Sequence, residues 1–189
     1  MVRGLSTING KNILLVSEGS LEKELLTANP SLVAITVKKK YPSTIEVSTQ
    51  AESPLVNFAA DYGYFFLSRG GKVLGKSTIK NDTLPVMQYY QKLNYRSIQS
   101  GDSLDYKDIQ IAIHFLGKAA DLGLSVNTID ITGLNMIALH LKGQRVIFTT
   151  EKDTAPQDYQ FETIIKQFRI EGKNFSVLDL RFDKPVLQF

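Results

Sequence analysis

Apolar and polar side chains alternate from Val33 to Lys38 and again from Ile45 to Ser48. A period of two puts every second residue on one face of a strand. In the first run Val33, Ile35 and Val37 oppose Ala34, Thr36 and Lys38; in the second Ile45 and Val47 oppose Glu46 and Ser48. Between them lies Lys38-Lys39-Lys40-Tyr41-Pro42. Proline fixes its own φ and pushes the preceding residue toward extended geometry, so a turn is predicted at this basic corner. Upstream, Gly10-Lys11-Asn12 reads as a turn. Leu21, Leu25 and Leu26 then have the spacing of an inward helix face, Ser17 or Ser20 is a candidate cap, and Asn29-Pro30 is a stop. Glu52-Ser53-Pro54 closes this helix-plus-hairpin unit, which is assigned to residues 1–53.

Beyond it, residues 54–189 have a different rhythm. Leu55-Val56-Asn57-Phe58 opens the second unit. Tyr64-Phe65-Phe66-Leu67 and Val73-Leu74, joined by Arg69-Gly70-Gly71-Lys72, read as a hairpin with a glycine turn. Leu84-Pro85-Val86 starts another extended piece. Ile109, Ala112, Ile113, Leu116 and Ala120 form a helical stripe; Ser103 is its candidate cap, Asp105 and Asp108 lie near its positive end, and Gly123 ends it. Strands follow at Val126–Ile131, Met136–Leu141 and Arg145–Thr149, the last two joined by Lys142-Gly143-Gln144. Thr154-Ala155-Pro156-Gln157 fits a capping box ahead of a helix that turns Phe161, Ile164, Ile165 and Phe168 inward and stops at Gly172. Phe175–Phe182 and Val186–Phe189 are the last strands, separated by Asp183-Lys184-Pro185. The expected fold class is α+β: a helix and hairpin, then a mixed, mostly antiparallel sheet with two helices.

Composition narrows the function classes. At 43% hydrophobic, the 189-residue chain can bury a core. Its net charge of +3 is mild, and basic residues cluster only at Lys38–Lys40, so no nucleic-acid partner is expected. Without cysteine there are no disulfides and no thiolate metal sites. His114 and His140 lie far apart, outside any metal-ligand spacing, so they read as structural and no cofactor is expected. No apolar run is long enough to span a membrane.

Residues 70–77, Gly-Gly-Lys-Val-Leu-Gly-Lys-Ser, satisfy the phosphate-loop pattern GxxxxGK[ST]. That chemistry needs a helix after the loop, whose N-terminus and amides cradle phosphate. Here Thr78-Ile79-Lys80-Asn81-Asp82-Thr83-Leu84-Pro85 follows, with no helical stripe and a proline. The segment is therefore read as a hairpin tip, and no nucleophile–base pair elsewhere points to an enzyme.

Four pieces in register carry a family resemblance. Asn29-Pro30 with Val33–Val37, the Lys38-Lys39-Lys40-Tyr41-Pro42 corner, the strand to Val47 and Glu52-Ser53-Pro54 resemble the second half of the POTRA domain of the bacterial cell-division proteins FtsQ and DivIB. Tyr64–Leu74 resembles that family's glycine hairpin, Leu84-Pro85-Val86 its Leu-Pro segment, and Val177-Leu178-Asp179-Leu180-Arg181-Phe182 its closing V-D-L-R-[YF]. The family has a membrane-spanning helix and a first POTRA strand and helix ahead of the matched region. By that comparison residues 1–53 are a partial POTRA domain, and the full-length protein would carry an N-terminal anchor.

The resemblance implies a non-enzymatic scaffold of the divisome on the outer side of the cytoplasmic membrane, binding FtsB/FtsL-type partners by strand addition. The alternative is a POTRA-type module of polypeptide transport, a chaperone-like binder of unfolded chains. In the family the C-terminal region receives the partner's strand. By that resemblance Arg181 would meet a carboxylate and Phe182 would serve as an aromatic anchor. Val186, Leu187 and Phe189 are added because the last strand is expected at the sheet's edge. A purely structural role, with Phe182 in the core and Arg181 in solvent, also fits these residues.

Overall fold

The structure is a computed structural model that describes residues 4–5, 12–29 and 32–189. It divides into two compact units, Met1–Ser53 and Pro54–Phe189. Gly10, Lys11 and Pro30, assigned above to a turn and a helix stop, lie outside the described residues.

In the first unit, helix α1 (Glu18–Ala28) covers an antiparallel hairpin of β1 (Leu32–Lys40) and β2 (Thr44–Ala51). Ser17 caps α1, its Oγ accepting the Ser20 N–H at 3.4 Å. Leu21 and Leu25 are buried with Ile35 and Val37. Leu26, expected inward, is 38% exposed, because one further residue rotates the side chain about 100° around the helix. The lysines do not make the corner. Lys38, Lys39 and Lys40 complete β1, and the turn is Tyr41–Ser43. A register shift between Leu32 and Ala34 sends Leu32 into the core and leaves Val33 exposed. The backbone N–H groups of Val37 and Lys39 donate to the Glu22 and Glu18 carboxylates, each at 2.8 Å, so α1 satisfies amides that β2 does not reach.

The second unit is one nine-stranded mixed sheet with order β11-β10-β9-β8-β7-β6-β3-β4-β5. Its strands are β3 (Val56–Ala60), β4 (Gly63–Leu67), β5 (Val73–Ser77), β6 (Val86–Tyr89), β7 (Val126–Thr132), β8 (Met136–Leu141), β9 (Gln144–Thr149), β10 (Val177–Asp179) and β11 (Val186–Gln188). Helices α2 (Lys107–Asp121) and α3 (Thr154–Glu171) complete it. The pairs β3–β6, β6–β7 and β9–β10 are parallel and the others antiparallel. A parallel neighbour needs a crossover, and the helices supply two: α2 joins β6 to β7, and α3 joins β9 to β10. Both crossovers leave strands that run the same way and step toward the same edge. With one hand of connection, both helices therefore fall on one face. Phe115 of α2 stacks on Phe148 of β9 at 3.8 Å, and Phe161 of α3 meets Phe148 edge-on at 5.2 Å.

Strand β3 has no alternation to reveal it: all five of its residues are buried. Asn57 is tolerated there because its Nδ2 donates to the Asn81 and Leu84 carbonyls at 2.8 and 3.0 Å, while its Oδ1 accepts the Asn81 N–H at 2.9 Å. Both predicted caps in this unit differ. Helix α2 starts at Lys107 behind Tyr106, not behind Ser103, which instead bridges Lys72. Helix α3 has Asp153 at its N-cap, and Gln157 does not close a capping box but turns to β9. Phe115 and Ala119 belong to the buried stripe of α2, whereas Ala120 is exposed.

Candidate partner-binding edge

The sheet's two edges are built differently. Beside β5 the chain lays its own backbone. The Val73 N–H donates to the Asp102 carbonyl at 2.8 Å, and the Gly101 N–H donates to the Val73 carbonyl at 2.7 Å. The Lys76 ammonium reaches the carbonyls of Tyr95 and, at 2.5 Å, Ile98. At the other end β11 pairs with β10 alone, through Val177–Gln188, Leu178–Leu187 and Asp179–Val186, and no strand lies beyond it among the described residues.

Strand β10 occupies an interior place between β9 and β11, as expected of this segment, but it is much shorter than Phe175–Phe182. Asp179 ends it. Its Oδ1 accepts the Arg181 backbone N–H at 3.1 Å, and a side chain closing on the backbone two residues ahead turns the chain. The same carboxylate binds the Arg181 guanidinium through Nε at 3.0 and 3.1 Å and through Nη2 at 2.6 Å. Burial would raise the Asp179 carboxyl, but the Arg181 hydrogen bonds outweigh it and hold the group below the usual range. Asp179 in turn raises Arg181 further.

The predicted site residues gather around this edge in two settings. Leu187 packs against the core, while the Phe189 ring stacks at 6.1 Å on Phe168 of α3 and remains 81% exposed. Val186 lies one residue off that face and is half-exposed. Phe182 is 53% exposed, outside the core, with the Arg181 guanidinium 5.6 Å from its ring centre. Arg181 is neither buried nor merely solvated; it braces Asp179. The loop between is fastened by Lys152 to Asp183 at 2.6 Å and by Gln160 Nε2 donating to the Asp183 carbonyl at 2.9 Å. Sequence reasoning missed Asp179 and Phe168 as members of this group. The Asp-x-Arg spacing was the one available signal, whereas Phe168 read only as a core position.

The remaining candidates lie elsewhere in the second unit. His114 contacts Asp158 at 2.7 Å and His140 contacts Asp130 at 2.8 Å. Among the described residues no three metal-ligating side chains converge, and no helix is long and apolar enough to cross a membrane. In the phosphate-loop look-alike, Ser68 Oγ accepts the Gly70 and Lys72 amides at 3.2 and 3.3 Å, and residues Val73–Ser77 of the motif form strand β5, with no helix directly after them. Compared with models of protein families the chain matches none, and compared with curated proteins it matches none.

Proposed function

We propose that the chain is a non-enzymatic scaffold of the bacterial division machinery, an FtsQ/DivIB-like protein of the outer face of the cytoplasmic membrane. In this reading β11 takes up a strand from an FtsB/FtsL-type partner. The observation that carries it is the asymmetry of the sheet: at the β5 edge Val73 bonds the backbone of residues 101–102 and the Lys76 side chain reaches the carbonyls of Tyr95 and Ile98, whereas among the described residues no strand borders β11. An added strand gains main-chain hydrogen bonds, and its alternate side chains meet the two faces of its neighbour. On the helix side it would lie against Leu187, Phe189 and Phe168; on the other side it would lie against Val186 and Gln188. Phe182 flanks the edge as an exposed aromatic anchor, held by the Asp179–Arg181 brace.

The test is calorimetric titration of the chain with the extracytoplasmic segment of the FtsB-type protein encoded in the same genome. Deleting Val186–Phe189 should abolish binding while leaving the circular dichroism essentially unchanged, and Arg181→Glu should weaken it. Full binding by the deletion variant overturns strand uptake at β11. Equal binding of unrelated unfolded polypeptides would favour the transport-type module instead.

A further inference from the structure

A cleft of about 390 Å³ opens in the second unit where β6 ends and α2 begins. Strands β6, β7 and β9 run the same way, so the residues following β6 and β9 meet at one end of the sheet. Tyr89, Tyr90 and Tyr106 form one side. The Tyr89 ring is tilted against Tyr90 at 4.5 Å and against Tyr106 at 6.2 Å. Tyr89 is buried, whereas Tyr90 and Tyr106 are about half-exposed, and Leu134, next to the Gly133 that lies against the Tyr90 ring, is 86% exposed. Asp108 and Glu151 line the same cleft. Asp108 Oδ1 accepts the Ile109 N–H at 2.9 Å, and the Tyr89 hydroxyl lies 3.4 Å from it. Glu151 accepts a hydrogen bond from Asn135 Nδ2 at 2.8 Å. Burial, then the neighbouring Tyr90 and Asp108, push the Tyr89 hydroxyl well above its usual range, so it stays protonated. Among the described residues neither carboxylate has a cation within ion-pair distance, and Lys107 on the rim pairs with neither.

We infer that this cleft receives the basic side chain, arginine or lysine, of a polypeptide partner, its stem between Tyr90 and Tyr106 and its charged head on Asp108 and Glu151. Such side chains combine an apolar stem with a cationic tip. Tyrosine faces attract cations, most strongly where water is excluded. An anion suits the cleft less well: it would meet two unpaired carboxylates, and Asp108 already occupies the first-turn amide of Ile109. The exposed rings of Tyr90 and Tyr106, with Leu134, extend the apolar surface beyond the cleft. That surface suits the backbone and neighbouring residues of a peptide rather than a free small cation. The site is independent of the β11 edge, so either can fail alone.

The test is amide-resolved NMR of the full chain titrated with Ac-Gly-Ala-Arg-Ala-Gly-NH2 and with the same peptide carrying citrulline, which keeps the shape and removes the charge. The arginine peptide should shift Tyr90, Tyr106–Asp108, Leu134–Asn135 and Thr150–Glu151 and should bind about tenfold more tightly than the citrulline peptide. Glu151→Gln, on a loop, should weaken it about fivefold, and Lys107→Met should tighten it about twofold by removing a like charge. Equal binding of the citrulline peptide, shifts elsewhere or no shifts overturn the proposal. Weaker binding of the arginine peptide by Lys107→Met would contradict a cation-receiving cleft and overturn it too. Free N-acetylarginine methylamide binding as tightly as the peptide would overturn the polypeptide assignment.

Discussion

The Gln157 side chain pairs with the backbone of Thr149 as a neighbouring strand would: its Oε1 accepts the Thr149 N–H at 2.9 Å and its Nε2 donates to the Thr149 carbonyl at 3.0 Å. Gln157 is 1% exposed, so neither backbone group has water as an alternative. Gln157→Ala should therefore destabilise the second unit by on the order of 2 kcal/mol, the cost of leaving buried polar groups unpaired. Urea unfolding of the full chain, followed by a probe in Pro54–Phe189, measures it; a loss below a few tenths of that would mean the pairing contributes little.

The Asp179–Arg181 brace sets an acid limit. The Asp179 carboxyl is depressed in the folded state, so its stabilisation is present above the unfolded carboxyl value near 3.9 and is lost as pH falls through the lower folded value. Asp179→Asn should unfold at lower denaturant than the parent near pH 7, and the gap should narrow as pH falls below about 4. A gap of constant size down to about pH 2 would mean the carboxylate's charge is not the source.

On α1, Glu22 and Glu18 occupy amides on the outer side of β1. Glu22→Ala should raise the Val37 amide exchange rate about tenfold and leave Val47, across the hairpin, nearly unchanged. Glu22→Gln, which keeps an acceptor, should restore much of the protection. Equal loss of protection in both strands would indicate that the whole unit opens instead.

Magnesium and ATP should leave the melting temperature unchanged, because the amides at the 68–72 tip already bind Ser68 and a strand follows them. A nucleotide that bound the folded chain would raise the midpoint by mass action. A thermal-shift measurement across rising MgATP decides it.

Much of this architecture was legible because its elements are locally consistent. The Ile109–Ala112–Ile113–Leu116 stripe, the Gly70-Gly71 turn and the glycine stop at Gly172 each state their structure within a few residues. Strand β3 was not legible, since a strand buried on both faces has no alternation, and its Asn57 looks like a turn residue until the 81–85 backbone that satisfies it is known. The Thr154 capping box failed for a similar reason: Gln157 serves a distant strand, not its own helix. At the candidate edge, Val186–Gln188 is outermost, as expected, although place in the chain does not dictate this, since mid-chain β5 forms the other edge. The claim of Asp179 on Arg181 depends on side-chain geometry that a residue pattern does not carry.

The covered β5 edge also limits stoichiometry. A sheet open at both ends can be extended repeatedly by its own copies and so can grow into a filament. In the nine-stranded sheet, Val73 at the β5 edge already bonds residues 101–102 and the Lys76 side chain crosses to the carbonyls of Tyr95 and Ile98, which opposes a strand adding there and so opposes edge-to-edge growth from β11 beyond one addition. A foreign strand at β11 yields a one-to-one complex; a second copy of this sheet yields a closed pair with both β11 edges consumed.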